Sequence, residues 1–413
     1  MNTGCIPTKT LVRSAEVFHA ARSAPKFGAR SSQLEVDFPA VIDRKERVVG
    51  EIIRRLEEGL RGNDQIEIVL GDARFRSATE LEVGERVLRA PKMVLAAGSH
   101  PQLPSIPGLE RYVTSDHIMD VRELPGQLVV LGGGAVACEF AQMFRRFGSK
   151  VTMLVRGPRL LSREDPDIGA VLAEVFADEG IRVVFDTTVE RVEPAGARQR
   201  LHTASEAFEA DLILVATGRV PSLDGLQLER AGIAHTPKGI TVDRFMRTTA
   251  PNIWAAGDCT GGLMFTHVAV FEGVRAASNA LGESYEADET FAPRAVFCDP
   301  EVAAFGLTES EAISRGHSVK VGVQPMTNVG RARVMEETKG FIKLVLDAKD
   351  DRILGCHVIA PHGAEIIHAA LVAANAGASL DPIFNSIFIH PSLTEGLQSA
   401  AEATFMAVPR MTH

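Results

Sequence analysis

The stretch QLVVLGGGAVACEFAQMFRRFGSKVTMLVR, residues 127–156, decides the fold. Four apolar residues, Leu128 to Leu131, run into three glycines and then into a segment with apolar side chains at helical spacing. An apolar run of that kind reads as a buried strand, and the segment after the loop as a helix. Gly132 permits the tight turn, Gly134 lets the backbone approach a pyrophosphate, and the small Ala137 lets the helix pack close to the strand. The helix N-terminus would add N–H donors and positive potential for the phosphates. A glycine-rich loop alone is often only a turn. Here strand, loop, helix and second strand follow in the order of a dinucleotide-binding unit, and dinucleotide binding is expected.

The second strand of that unit ends at Val155 and Arg156, with Arg159 and Arg163 close behind and no carboxylate at the strand end. A carboxylate there would take a ribose 2′-hydroxyl, whereas an arginine accepts a 2′-phosphate. NADPH is therefore favoured over NADH, against the alternative that these arginines form a solvated loop.

Working outward, residues 5–24 read as a helix with Pro7 in its first turn and Leu11, Val12, Ala15 and Phe18 at helical spacing. Residues 39–60 read as a second, charge-rich helix. Short strands are expected in IEIVLGDARF, ELEVG and KMVLAAGS between 65 and 99, followed by the Pro-rich connector HPQLPSIPGLE. Beyond the glycine loop come a helix at 166–179, strands near 181–192 and 199–208, the strand ADLILVATGRVPS and a helix at 266–281. The acidic linker GESYEADET precedes a last part, 291–413, whose strands and helices suggest a separate α+β domain.

The 413 residues suffice for two to four domains. A net charge of −9 argues against a general nucleic-acid or membrane-surface binder, and one Trp and two Tyr make no stacking platform for single strands. The five cysteines (5, 138, 259, 298 and 356) contain no CxxC pair, so neither a disulfide-stapled secreted fold nor a zinc ribbon is expected. Without a signal-peptide core or a membrane-spanning apolar run, the chain reads as cytoplasmic.

Two further motifs carry chemistry. In GCIPTK, Cys5 precedes a helix start and Lys9 adds positive charge, a setting that favours thiolate. By itself the position leaves two readings open, reactive thiol or bystander. In IHPSLTEG, His390 and Glu395 share one loop and could be a base with its orienting carboxylate, or an incidental surface pair. His357, His362 and His368 match no usual zinc spacing, and no metal site is expected.

Taken together, GCIPTK, KMVLAAGSHPQLPSIPG, VVLGGGAVACEF, LILVATGRVPS, IWAAGDCTGG and IHPSLTE stand in the order found in the pyridine nucleotide–disulfide oxidoreductases, and the chain resembles that family along its whole length. The resemblance implies an α/β fold with Rossmann-like FAD- and NAD(P)-binding domains and an α+β C-terminal dimerisation domain. The expected segments are 1–118 and 246–288 for FAD, 119–245 for NAD(P) and 289–413 for the interface of a homodimer. It looks most like the mercuric reductase branch, with lipoamide dehydrogenase and glutathione reductase further off.

By the same resemblance Cys5 matches the redox cysteine nearer the flavin and Lys9 the lysine beside its ring. Asp258 matches the carboxylate on the ribityl chain, Thr266 lies near the ring, and Glu139 lies near the nicotinamide. His390, held by Glu395, matches the acid–base pair that reaches the partner subunit's thiols. Ala73, Gly98 and Gly218 are expected to contribute to cofactor binding. The implied activity passes electrons from NADPH through FAD and a cysteine pair to a disulfide or to Hg(II).

Two departures bear on this. The family's redox motif is Cys-x4-Cys, whose first cysteine would fall immediately before Met1, and the glycine-rich unit for the ADP half of FAD would lie further upstream. Neither is present in the sequence, so the chain as written is expected to bind FAD poorly and not to complete the dithiol cycle. Loss of the unit would leave strand edges exposed. Mercuric reductases also end in a cysteine pair, whereas this chain ends MAVPRMTH. The rival expectations are a dihydrolipoyl dehydrogenase-like disulfide reductase and a non-catalytic nucleotide-binding homologue.

Overall fold

The computed structural model describes residues 3–30, 33–377 and 379–411, so Met1 and the chain's last two residues lie outside the described residues. The chain divides into two compact units.

The larger unit comprises residues 6–46, 104–217 and 290–413. Its first sheet is parallel, with strands in the order Val113–Thr114, Leu212–Val215, Gln127–Leu131, Lys150–Leu154 and Arg182–Val184. Leu128 to Leu131 and Ile213 to Val215 are buried because both faces of the sheet are covered, which explains their unbroken apolar runs. Leu128, Val130 and Leu214 pack with helix residues such as Phe140 and Leu172, whereas Val129, Leu131, Ile213 and Val215 pack with Val192, Leu201 and Phe208 of the antiparallel strands Arg191–Ala195, Arg198–His202 and Ala207–Ala210. The chain reverses its order of strand addition at Gln127–Leu131, so the glycine loop leaves that strand at the switch point where α/β sheets bind ligands.

The helix Ala135–Phe147 buries Phe140, Phe144 and Phe147 in one core with Leu11, Phe38 and Ile42. The Phe38 ring lies 5.8 Å from that of Phe144 and 5.6 Å from that of Phe147. Each buried phenylalanine contributes about 2 kcal/mol. This cluster fixes the helix Cys5–Ser23, through Leu11 and Ala15, against the helix that follows the glycine loop.

A five-stranded antiparallel sheet completes this unit, ordered Arg294–Val296, Glu301–Gly306, Ile353–Ala360, Phe341–Asp347 and Val319–Pro325. The helix Glu395–Phe405 lies directly on Val319–Pro325; a Cβ at Gly322 would fall 2.0 Å from the Ala400 carbonyl oxygen. That close seat positions Glu395.

The smaller unit comprises residues 1–5, 47–103 and 218–289. It contains the antiparallel meander Ala73–Ser77, Glu80–Val83 and Arg86–Arg89, and the parallel pair Met93–Leu95 with Ile253–Ala255. Phe75, Leu228, Ile253 and Ala255 form its core. One expectation fails here. Residues 66–70, IEIVL, form no strand, and Ile66, Ile68 and Leu70 are exposed. The alternation has strand-forming residues, but no neighbouring strand among the described residues pairs with it, and isolated strands are not stable.

Candidate active site

In the larger unit the loop Gly132–Gly134 joins the central strand to the helix Ala135–Phe147. Gly132 has φ +134°, and a Cβ there would sit 2.3 Å from the Ala216 carbonyl oxygen. A Cβ at Gly133, which the sequence reading did not single out, would fall 2.7 Å from the Val155 side chain. At Gly134 it would meet nothing within 4 Å, so this backbone is open to a ligand. Gly134 caps the helix without a side-chain hydrogen bond, which leaves the first-turn N–H groups available. Ala137 is buried under this turn, and Arg156 is exposed just beyond the neighbouring strand. These residues fit the pyrophosphate and the ribose phosphate of a nicotinamide dinucleotide.

Further along the same helix, Glu139 is only 4 % exposed. Both its oxygens accept hydrogen bonds from Lys9 Nζ at 2.9 Å, and one also accepts from the Phe297 backbone N–H at 2.8 Å. The Lys9 ammonium stands 4.7 Å from the centre of the Phe297 ring. A buried carboxylate is tolerated here because it is paired and hydrogen-bonded. Phe297 gave no sequence signal, since its role depends on a backbone N–H and a ring meeting residues 158 and 288 positions away, by difference of residue numbers.

His390 Nδ1 lies 3.0 Å from Glu395 Oε2, and the His390 side chain is 80 % exposed. Glu395 opens its helix and its N–H is capped by Ser392 Oγ at 3.2 Å. With Nδ1–H given to the carboxylate, Nε2 is the proton-accepting nitrogen. Exposed apolar residues Ile387 and Ile389 flank this histidine.

In the smaller unit, Cys5 is exposed and its Sγ lies 3.0 Å from Thr266 Oγ1, the first residue of the helix Thr266–Ala280. Asp258 sits in the turn after Ile253–Ala255 and accepts a hydrogen bond from Ser99 Oγ at 2.5 Å. Arg219 donates to both Ser99 Oγ and Ser99 O, at 2.8 and 2.7 Å. Gly98, with φ +72°, lies in the connection after Met93–Leu95, and Gly218 lies where residues 99–101 and 219–221 pair. Ala73 stands apart from this group, pairing with Val83 in the meander. Ser99 and Arg219 were not singled out from the sequence, because a strand-end serine and arginine carry no pattern.

The flavin expected from the resemblance has a partial seat here. Asp258 and Ser99 lie just beyond the C-terminal ends of a parallel strand pair and suit a polyhydroxylated chain. Among the described residues of this unit there is no strand–glycine loop–helix of the kind that cradles a second pyrophosphate.

Glu272, on the same helix, is 4 % exposed and accepts a hydrogen bond from the Gly257 N–H. Burial first, and then a proton shared with Glu289, push its pKa up to about 8 from an ordinary 4.5. The folded state therefore keeps a proton that the unfolded chain releases. The resulting stability is full below pH 4.5 and is lost as pH rises through about 8. Glu272→Gln, which mimics the protonated form, should match the unsubstituted protein at about pH 5 and exceed it at about pH 9 by about 2–4 kcal/mol in denaturant unfolding.

Cys138, Cys259, Cys298 and Cys356 are buried, and burial raises each thiol pKa, which makes them unreactive. His357 is buried with Nε2 3.0 Å from the Leu307 carbonyl, and burial lowers its pKa. No helix of the described residues is long and apolar enough to cross a membrane.

Comparison with known proteins gives the family. Residues 1–273 match the model of the pyridine nucleotide-disulphide oxidoreductases, and residues 292–401 match the dimerisation domain of the same family. The second match supports a homodimer. A mercuric reductase of Lysinibacillus sphaericus is 35 % identical over 97 % of this chain and 75 % of its own length. A dihydrolipoyl dehydrogenase of Bacillus subtilis is also 35 % identical, over 98 % of this chain and 90 % of its own length. The HOCl-induced flavoprotein disulfide reductase RclA from Escherichia coli superposes with a TM-score of 0.88 at 33 % identity, over 97 % of this chain and 90 % of that one. The lean toward the mercuric branch expected from the sequence is thus not matched by a difference in identity. The chain belongs to the pyridine nucleotide-disulphide oxidoreductases, flavoprotein enzymes that move electrons between NAD(P)H and disulfides.

Proposed function

We propose that this protein is an FAD-dependent oxidoreductase that draws electrons from NADPH and delivers them through Cys5 to a disulfide substrate. The observation that carries the reading is Cys5 itself, an exposed thiol at a helix start, 3.0 Å from Thr266 Oγ1, in a chain whose other cysteines are buried. Bound flavin would supply the step between the hydride of the nicotinamide and the electron pair of a thiol.

The residues present account for the rest. The Gly132–Gly134 loop and its helix hold the pyrophosphate, and Arg156 takes the 2′-phosphate. Lys9, fixed by Glu139, would supply the positive charge that the resemblance assigns to the flavin ring. Nε2 of the partner subunit's His390, with Nδ1 oriented by Glu395, takes the Cys5 thiol proton. The thiolate attacks one sulfur of the substrate, forming a new S–S bond while the other sulfur leaves and takes that proton back from Nε2. The electron pair that bound flavin would supply splits this mixed disulfide, releasing the second substrate thiol and restoring Cys5.

A disulfide is favoured over Hg(II) because the His390–Glu395 pair manages a proton, which thiol–disulfide exchange requires and metal-ion reduction does not. The test compares NADPH oxidation by the FAD-loaded protein with lipoamide, glutathione disulfide or Hg(II) as acceptor. Turnover with a disulfide and none with Hg(II) is expected; turnover with Hg(II) alone would reverse the assignment to the mercuric branch. Arg156→Gln should raise the KM for NADPH roughly tenfold, the value of one charge-assisted hydrogen bond, and leave that for NADH unchanged.

A further inference from the structure

The segment Phe297–Asp299 lies along one face of the helix Ala135–Phe147. Glu139 accepts from Phe297 N–H at 2.8 Å. One turn on, Gln142 accepts from Asp299 N–H at 2.8 Å and donates to Asp299 O at 2.7 Å. Another turn on, Arg146 binds the Asp299 carboxylate at 2.8 Å. Gln142 is 3 % exposed and its amide is in turn fixed by Glu179 Oε1 at 2.8 Å. Between this face and the helix Cys5–Ser23 lies a cavity of about 10 Å³, lined by Val12, Glu16, Glu139, Gln142, Arg146 and Asp299. That is room for at most one water.

We propose that Gln142 is a positioning residue for the Lys9–Glu139 ion pair, acting through the Phe297–Asp299 segment. Its paired backbone hydrogen bonds at Asp299 form the clamp. They hold the Phe297 N–H on the Glu139 carboxylate and the Phe297 ring beside the Lys9 ammonium. The role of that ion pair in flavin chemistry rests on the proposed function, but the clamp does not.

The test follows acylation of Lys9 by acetic anhydride, resolved by peptide mass spectrometry. An amine held in an ion pair reacts only when released. Gln142→Leu should speed Lys9 acylation roughly threefold to tenfold, the consequence of losing a hydrogen bond to a charged group, with Lys343 as unchanged internal reference. Asp299→Asn removes the ion pair to Arg146 but keeps both Gln142 bonds, and should stay within about twofold of the unsubstituted protein. Gln199→Leu removes another buried amide, bonded to Arg111 O at 2.7 Å, and should leave Lys9 unchanged.

The proposal is overturned if Gln142→Leu leaves Lys9 at its original rate, or if Gln199→Leu speeds it equally. Should Gln142→Leu not fold, hydrogen exchange on the unsubstituted protein decides. Slow exchange at the Phe297 and Asp299 amides supports the clamp, and exchange at exposed-loop rates refutes it. None of these readouts needs flavin. A protein that shows the Lys9 effect but no NADPH-dependent flavin reduction would sink the functional reading and leave the clamp standing.

Discussion

Cys5→Ser is expected to lower disulfide-dependent NADPH oxidation by at least about 10³-fold, the scale lost when a covalent nucleophile is removed. A serine hydroxyl can replace the thiol in its contact with Thr266 Oγ1, so the local structure should survive. What it cannot do is form the sulfur–sulfur bond on which exchange depends. Reduction of bound flavin by NADPH should therefore persist in the variant, because the glycine loop and the Lys9–Glu139 pair are untouched. The two half-reactions are followed separately, by flavin absorbance under anaerobic conditions and by release of substrate thiol. Equal loss of both would mean that Cys5 serves the fold and not the chemistry.

The second large effect concerns stability. Gly132→Ala should destabilise the protein by about 3 kcal/mol or more, since overpacking and a forbidden backbone conformation act together. The new Cβ would stand 2.3 Å from the Ala216 carbonyl oxygen at a φ of +134°. Ala216 cannot retreat, because its N–H is bonded to Leu131 O at 2.9 Å at the end of the sheet. Gly134→Ala, two residues on, meets nothing within 4 Å and should fold normally while binding NADPH more weakly. Thermal unfolding with and without nucleotide separates the two variants. A Gly132→Ala protein as stable as the original would mean that the turn can open.

The contrast shows what is legible in the linear sequence. The strand–glycine loop–helix unit could be read because its physics is local: a buried parallel strand must be apolar throughout, and a tight turn must be glycine. The helix behind Cys5 and the His390–Glu395 pair were readable for the same reason, each lying within a few residues. Phe297, Gln142 and Ser99 were not, because Glu139, Asp299 and Asp258, the partners that give them their roles, lie more than a hundred residues away and their types are common. The failed strand at 66–70 makes the complementary point. Alternating isoleucines satisfy the local requirement for a strand, but a strand exists only with a neighbour to pair with, which no window of sequence reports.

The most direct test of an FAD-dependent NADPH oxidoreductase is reconstitution. The protein is titrated anaerobically with NADPH and with NADH in the presence of excess FAD while the visible absorbance is recorded. FAD bleached faster with the protein than without it, and more readily by NADPH than by NADH, is the expected result. FAD bleached no faster than in protein-free solution would contradict it.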